Sequence, residues 1–415
     1  MSVRVLHVIT GLGTGGAERN LYNLLAAGVS APDEVAVIAL MDEGSYGPRI
    51  RALGIEVHAL GMRQGIPAPW TLPRLSALVR RFAPDVIQGW MYHGNLMASM
   101  AARLCHQRPA VSWNVRQCLY QIERHKPLTR WAIRANRRLS GGPGAIVFNS
   151  RLSRRQHRDF GFRDDAALVI PNGFDTAAVA PDSASRQQVR KRLSFNDEQW
   201  VVGHVARCHP IKDHPNLLRA CVTVAEQMPQ ARFLVVGRGV DFDAPQLAGI
   251  VPDEYRSRFL LTGERDDVGE LMQAMDVFCQ SSWLEAFPNA LAEAMACELS
   301  CVATDVGDSD YILGTSGRIV PPRDSQALAR ALLEALNEPA DRRRERGREA
   351  RERIVSEFGL AQVVEQYRQL YQRIGLPAQV GSLPSAPSSE ASTETVSETA
   401  SEPASEPASG PSTRP

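Results

Sequence analysis

The sequence predicts an α/β protein of two domains. Three observations carry that prediction. The chain has 415 residues, too many for one ordinary core, so two domains are expected. Short apolar runs of strand character alternate with helix-period stretches from Val3 to Ile374, the mark of repeated strand–helix units. Polar and charged residues gather where those runs end, and in open α/β sheets ligands bind at the carboxyl ends of strands.

Taken in order, Val3–Ile9 is a strand that runs into Gly11-Leu12-Gly13-Thr14-Gly15-Gly16-Ala17-Glu18, then a helix through Leu21, Leu24 and Leu25. The glycines allow a tight turn whose backbone N–H groups approach an anion at the helix start. Gly11-x-Gly13-x-x-Gly16 also matches a dinucleotide-binding fingerprint, with Asp42 after the strand Glu34–Leu40 available for a ribose. An NAD(P) oxidoreductase is therefore one competing reading. Strand Glu56–Leu60, a helix through Leu75–Phe82 and strand Asp85–Gln88 follow. Next, Gly89-Trp90-Met91-Tyr92-His93-Gly94-Asn95 reads as a loop opening a small-residue helix, with His93 either a site residue or a satisfied surface histidine. Ala110–Asn114 is a strand with Arg116 at its carboxyl end, and Ala145–Ser150 is another.

Residues 116–158 are basic: Arg116, Arg124, Lys126, Arg130, Arg134, Arg137, Arg138, Arg151, Arg154, Arg155 and Arg158, interleaved with Trp131, Ile133 and Leu139. This tract reads either as a solvated helical face or as a peripheral contact with anionic lipid. No reader motif or aromatic platform points to nucleic acid. Leu168 to Asp175, with the turn Pro171-Asn172-Gly173, closes the first domain (1–175), and the polar, helix-prone stretch 176–199 is a crossover.

The second domain (200–355) opens with strand Trp200–Ala206 and continues Arg207-Cys208-His209-Pro210-Ile211-Lys212. Two cations thus stand at a strand's carboxyl edge, the fixed positive charge that a departing diphosphate needs. Strands at Phe233–Val236 and Phe259–Thr262 lead to Asp276–Cys279 and then Ser281-Ser282-Trp283-Leu284-Glu285-Ala286-Phe287-Pro288-Asn289-Ala290-Leu291-Ala292-Glu293-Ala294-Met295-Ala296. Pro288 suits the first turn of a helix, and Leu291 and Met295 share its core face. Glu285, just before the helix, and Glu293, within it, place two carboxylates beside the helix's positive end. Carboxylates accept paired hydroxyl hydrogen bonds, which sugars and riboses offer. Glu293 alone reads equally as a solvated surface residue; Glu285, between Leu284 and Phe287, is a charge that burial would penalise. Ala327–Leu336 and Leu360–Ile374 are the closing helices, the latter with Val363, Val364, Tyr367, Leu370 and Tyr371 on one stripe.

Composition narrows the class. Hydrophobic content of 44% with 22% charged residues is that of an ordinary folded protein. The net charge of +1 hides an asymmetry, because residues 376–415 hold five Glu and one Arg and leave +5 for the remainder. That Ser/Pro/Glu/Ala/Thr tail is too poor in apolar residues to fold and is expected to be disordered. Seven cysteines with no Cys-x-x-Cys pair argue for a reducing compartment and against a zinc site or a disulfide framework. Cys297 and Cys301 read as buried small hydrophobes. Val3–Ile9 is too short for a leader's apolar core and is followed by glycines, so no signal peptide is expected. No run approaches the ~20 apolar residues of a membrane span. A cytoplasmic protein, peripheral to a membrane at most, is expected.

The Glu-x7-Glu pair Glu285/Glu293 resembles the motif of the GT-B, family-4 type (group 1) retaining glycosyltransferases. So, in family order, do Gly-Gly-Ala-Glu after the first strand, His93, Pro171-Asn172-Gly173-Phe174-Asp175, Arg207 with Lys212, and Val236-Gly237-Arg238-Gly239. The resemblance spans about residues 3–374. It implies two Rossmann-like, doubly wound domains facing across a cleft. A helix at 356–375 would return to the first, acceptor-binding domain. It also implies transfer of a sugar from a nucleotide diphosphate donor, a UDP-sugar above all, with retention and without a metal or cofactor. The acceptor expected is a glycan or lipid-linked intermediate of cell-surface polysaccharide. By that resemblance, Glu285 holds donor-sugar hydroxyls, Glu293 the ribose, and Arg207 and Lys212 the diphosphate. Phe287, Pro288, Asn289 and Ala290 shape the donor loop, and His93, Gly15 and Gly16 complete the site from the first domain. A sugar-nucleotide epimerase on the same fold is the second competing reading. The sequence departs from the family at Ala286, where Gly is usual, and at Glu298 and Ser300, where Gly and Pro commonly end the helix.

Overall fold

Val5–Ile9 (β1) is buried at all five positions, as a strand covered by helices on both faces must be. The computed structural model describes residues 2–62, 70–120 and 122–376, so the 376–415 tail, Leu376 apart, lies outside the described residues. With β1, the strands Val35–Ala39 (β2), Glu56–Ala59 (β3), Val86–Trp90 (β4), Ala110–Val115 (β5), Ala145–Phe148 (β6) and Ala167–Val169 (β7) form one sheet. Its order is β3-β2-β1-β4-β5-β6-β7, parallel throughout. Trp200–Val205 (β8), Ala231–Val236 (β9), Phe259–Leu261 (β10), Val277–Gln280 (β11), Ser300–Thr304 (β12) and Arg318–Val320 (β13) form a second. It is also parallel and runs β10-β9-β8-β11-β12-β13. Each sheet starts in its middle, winds outward, and then returns to wind the other way. The direction reverses between β1 and β4 and again between β8 and β11, and a crevice opens beyond the strand ends at each reversal. Two Rossmann-like, doubly wound sheets were the expected fold, and they are present.

Helix Leu360–Gly375 returns to the first sheet. Its buried stripe Val363, Val364, Tyr367, Leu370 and Tyr371 shares a core with residues of β1, β4 and β6. The return is pinned where Phe174 N–H donates to Phe358 O and Leu360 N–H to Phe174 O, both at 2.9 Å. The preceding helix, Ala340–Phe358, has no counterpart in the sequence reading. It is mostly charged, and only Gly347, Ala350, Ile354 and Phe358 are buried, a stripe too thin to stand out. Its arginines are structural: Arg351 donates to the carbonyls of Thr176, Val179 and Ala296. The 176–199 stretch contains helix Ser183–Arg192, capped by the Asp182 carboxylate. Arg186 and Arg190 fasten it to Asp276 at 2.6 and 3.2 Å.

Candidate active site

The crevice of the second sheet is built from the loops after β8 and β11. Beyond β8 the chain passes Arg207 and makes a short turn at Pro210–Lys212. Asp213, left-handed at φ 50°, then starts helix His214–Gln227, with its carboxylate accepting from Asn216 N–H. Three hydrogen bonds staple this turn to the loop after β11. Trp283 donates its backbone N–H to Ile211 O at 2.9 Å and its indole N–H to Pro210 O at 2.8 Å. The Ser281 hydroxyl donates to Lys212 O at 2.9 Å.

The staple brings the Lys212 ammonium onto the Glu285 carboxylate, which also accepts from the Ser282 hydroxyl at 2.7 Å. The Glu285 side chain is only 11% exposed, so these partners are what make its charge tolerable there. Arg207 is exposed and has no ion-pair partner among the described residues. Its loop rides directly on the glycine turn after β9: at Gly237, φ +155°, a Cβ would stand 1.9 Å from Ala206 O. Beneath the loop lie His204 and His214, ring centroids 4.9 Å apart, hydrogen-bonded to the carbonyls of Cys279 and Ala206.

Pro288 is the N-cap of helix Asn289–Ala296 rather than a residue of its first turn. Leu291 and Met295 are fully buried, as their spacing predicts. Phe287 is buried and stacks with Phe174 at 6.0 Å, Asn289 accepts from Asn172, and Ala290 is half-buried. Glu293 faces the first sheet, where Arg19 pairs with it at 2.7 Å.

The crevice of the first sheet is made of smaller groups. Gly15 is the extended N-cap of helix Gly16–Ala26, and the space where a Gly16 side chain would stand is open. The Glu18 carboxylate folds back over Gly15, and burial raises its pKa. His93 does not lie on a loop, as the sequence suggested. β4 continues to Trp90, and helix Met91–Leu104 begins at once, with Met91 left-handed at φ 61°. Burial of Trp90 explains the longer strand: its indole N–H donates to His7 of β1 at 3.1 Å. His93 thus sits in the helix's first turn. Its Nε2 is buried without a partner among the described residues, and burial lowers its pKa, so the ring is neutral near pH 7.

Contacts between the two halves place these crevices together. Besides Arg19–Glu293 and Asn172–Asn289, the Cys118 thiol donates to Glu285 O at 3.3 Å. Asp308 accepts from the N–H groups of Arg151 and Leu152, at 2.7 and 3.1 Å, and so caps a first-sheet helix from the second half. Half-buried Arg116 donates to Asn114, Tyr367 and Asn172, and desolvation lowers its pKa.

The dinucleotide reading meets an obstacle. The Asp42 side chain is turned onto Gly44 N–H at 3.1 Å, and Tyr46 N–H donates to Leu12 O. A Cβ on Gly44 would stand 2.4 Å from Leu12 O, so the loop after β2 lies on the very glycine turn that an adenosine would need open. Within the basic tract, Arg154 pairs with Asp164 and Arg158 with Asp159, while Trp131 is 60% exposed. Among the described residues no helix is long and apolar enough to cross a membrane, and no group of three His, Cys, Asp or Glu is placed to hold a metal.

Sequence reading missed Arg19 and Ser282. The signal for Arg19 was present, since it stands one turn beyond the Gly15-Gly16 loop. That of Ser282 was only its place in the stretch before Glu285.

Residues 14–178 match the family model for Glycosyltransferase Family 4, and residues 199–338 that for Glycosyl transferases group 1. The chain is 25% identical over 325 residues to a glycosyltransferase, EpsF, of Bacillus subtilis, an alignment covering 73% of this chain and 79% of that protein. It is 25% identical over 207 residues to an Escherichia coli UDP-Gal:alpha-D-GlcNAc-diphosphoundecaprenol alpha-1,3-galactosyltransferase, covering 49% of this chain and about half (53%) of the relative. Among solved structures, Anabaena HepE in complex with UDP superposes with a TM-score of 0.77 at 20% identity, over 89% of this chain and 100% of that one. WaaG, a glycosyltransferase of lipopolysaccharide biosynthesis, superposes at 0.67 with 16% identity, over 88% and 99%. At such identities these likenesses speak for the fold, which is GT-B.

Proposed function

Because the chain belongs to the group 1, family-4 glycosyltransferases, we propose that it transfers a sugar from a UDP-sugar to a glycan or lipid-linked acceptor of cell-surface polysaccharide, with retention at the anomeric carbon. One observation carries this reading: the loops and helix after β8 and β11, at one topological switch point, carry Arg207, free of an ion-pair partner among the described residues, Lys212, Glu285 and Glu293. As the anomeric C–O bond breaks, the diphosphate gains negative charge, which Arg207 and Lys212 are placed to neutralise. Glu285 then turns from Lys212 to the donor-sugar hydroxyls, and Glu293 takes the ribose. Phe287, Pro288, Asn289 and Ala290 give the donor loop its shape. From the other sheet, Gly15 and Gly16 offer backbone N–H groups at a helix start. His93, neutral, offers a hydrogen bond without a competing charge. The cations do here what a metal does elsewhere, and the nucleotide sugar is a substrate rather than a cofactor.

The donor class is supported by relatives and neighbours: the Escherichia coli enzyme is named for UDP-Gal and a diphosphoundecaprenol-linked acceptor, and HepE is seen with UDP-glucose. A lipid-linked acceptor would bring the enzyme to the cytoplasmic membrane surface. The exposed Trp131 on helix Pro127–Leu139, with Arg134 and Arg138 exposed one and two turns on, suits a shallow contact with anionic headgroups. Absence of binding to anionic vesicles at low salt would remove that contact.

The test is a thermal-shift panel of nucleoside diphosphates and nucleotide sugars, with NAD and NADP as controls. A bound nucleotide raises the melting temperature by mass action. A shift with UDP species, lost in Lys212→Ala, is expected. A shift with NAD alone would overturn the reading, and conversion of the nucleotide sugar without any acceptor would favour an epimerase.

A further inference from the structure

The Arg19–Glu293 pair is the only ion pair joining the two sheets' halves among the described residues. It occupies the carboxylate that the reading above gives to the donor's ribose. We infer that Arg19 is a donor-sensing residue: it competes with the ribose diol for Glu293, and the donor binds only by breaking this contact across the cleft. The inference rests on the proposed donor site.

Three features support it. The guanidinium is 44% exposed and the Glu293 side chain 20% exposed, so a ligand reaches both groups and the pair is weak enough to exchange. Arg19 is also held in register with the phosphate loop, since its backbone N–H donates to Gly15 O at 3.0 Å while buried Asn20 and Leu21 fix the helix. A change at Glu293 is thereby felt at Gly15 and Gly16. The second carboxylate behaves alike: Glu285 is paired with Lys212. Both carboxylates of the pair are thus satisfied by cations, one from each half. Donor binding exchanges partners at both. At Glu293 the displaced partner belongs to the opposite half.

The experiment compares UDP with 2′,3′-dideoxy-UDP by calorimetry in the wild-type protein, Arg19→Ala and Arg19→Gln, the melting temperature of each unliganded variant serving as the folding control. The dideoxy nucleotide has no diol, so it leaves the pair intact. Removing the competitor is expected to tighten UDP binding two- to fivefold in Arg19→Ala, about the worth of one solvent-exposed ion pair. Dideoxy-UDP affinity should not move, and Arg19→Gln should fall between. UDP affinity that is unchanged or weaker in Arg19→Ala, or equal gains for both nucleotides, overturns the inference while leaving the donor site standing. If UDP fails to bind the wild-type protein, the donor-site reading falls, and the inference falls with it.

Discussion

The two crevices share a topology and differ in nearly everything else. The first, at β1 and β4, is lined mostly by glycine backbone and a neutral histidine, with the Glu18 carboxylate over Gly15 and open space at Gly16. The second, at β8 and β11, pairs Lys212 with Glu285 and leaves Arg207 without an ion-pair partner among the described residues, on two loops stapled through Trp283 and Ser281. Fixed charges stabilise a transition state only when they need not reorganise, and the staples supply that rigidity. Bare backbone and a neutral ring suit the varied acceptor that the proposed function puts there. A repeated fold has thus been divided into a charged half and a permissive half.

The largest test of that division is Lys212→Ala. It removes the cation proposed for the diphosphate and leaves the partly buried Glu285 with only Ser282 as partner. Transfer should fall at least about 100-fold, and stability by about 1–2 kcal/mol, less than for one member of a fully buried pair. Turnover near the wild-type value would end the assignment of charge stabilisation to the second crevice. His93→Ala, by contrast, deletes a ring whose Nε2 has no partner among the described residues and should leave the urea midpoint almost unchanged.

Acid should act beneath the second crevice. Burial first, and mutual charge second, pull the pKa of His204 down to about 3; burial takes His214 to about 4. In the unfolded chain both titrate near 6.5. Between that value and the folded ones the unfolded state binds more protons, so stability falls as pH falls. The contribution is complete above about pH 6.5. Each histidine costs up to about 1.4 kcal/mol per pH unit below it, until its own folded pKa is passed. His7 and His157, depressed to about 3 and about 4 in the first half, add to the slope. Urea midpoints at pH 7.5, 6 and 5 should decline progressively, and His214→Asn should flatten the decline by one histidine's share. A flat profile would mean that water reaches these rings.

Two glycines sharpen the comparison further. Gly237→Ala places a Cβ 1.9 Å from Ala206 O at φ +155°, and a loss of about 2 kcal/mol or more is expected. Gly16→Ala meets nothing within 4 Å, so the fold should hold or gain up to about 1 kcal/mol. Nucleotide affinity should nevertheless drop, because the methyl would fill the space a phosphate needs. Unaltered affinity in a stable Gly16→Ala would show that no ligand approaches there.

Strands were legible because parallel strands buried on both faces read as plain apolar runs, β1 and β11 among them. Helix Leu360–Gly375 was legible through its five-residue stripe. Helix Ala340–Phe358 was not, since its packing uses Gly347 and Ala350 and its arginines bond to carbonyls that no pattern reveals. Candidate site residues at strand ends were read from their position. The exact start of helix Met91–Leu104 was not, because a left-handed methionine at the junction runs against local preference. Cross-cleft partners such as Arg19 and Asp308 are 274 and 157 residues from what they touch, a separation at which spacing carries no signal.

The smallest predicted effect concerns how the helix carrying Glu293 ends. Helix Asn289–Ala296 stops with Glu298 at φ +60°, where glycine is the usual residue. Glu298 N–H donates to Met295 O at 3.0 Å and Leu299 N–H to Ala294 O at 3.1 Å, so the stop is made in the glycine manner without the glycine. The backbone has no room to relax, because a Cβ on Gly347 would stand 2.0 Å from Glu298 O. A non-glycine residue held left-handed costs about 1 kcal/mol. Glu298→Gly relieves that strain and gives up only a 3.9 Å contact with Arg351, worth little at the surface. The net expectation is a gain of about 0.5 kcal/mol and a melting temperature about 1–2 °C higher. Transfer should not change, because Glu293 lies on the turn before and its partner is in the other half. A lower melting temperature would mean that the Arg351 contact outweighs the strain, and that the charged half is held by ion pairs even at its rim.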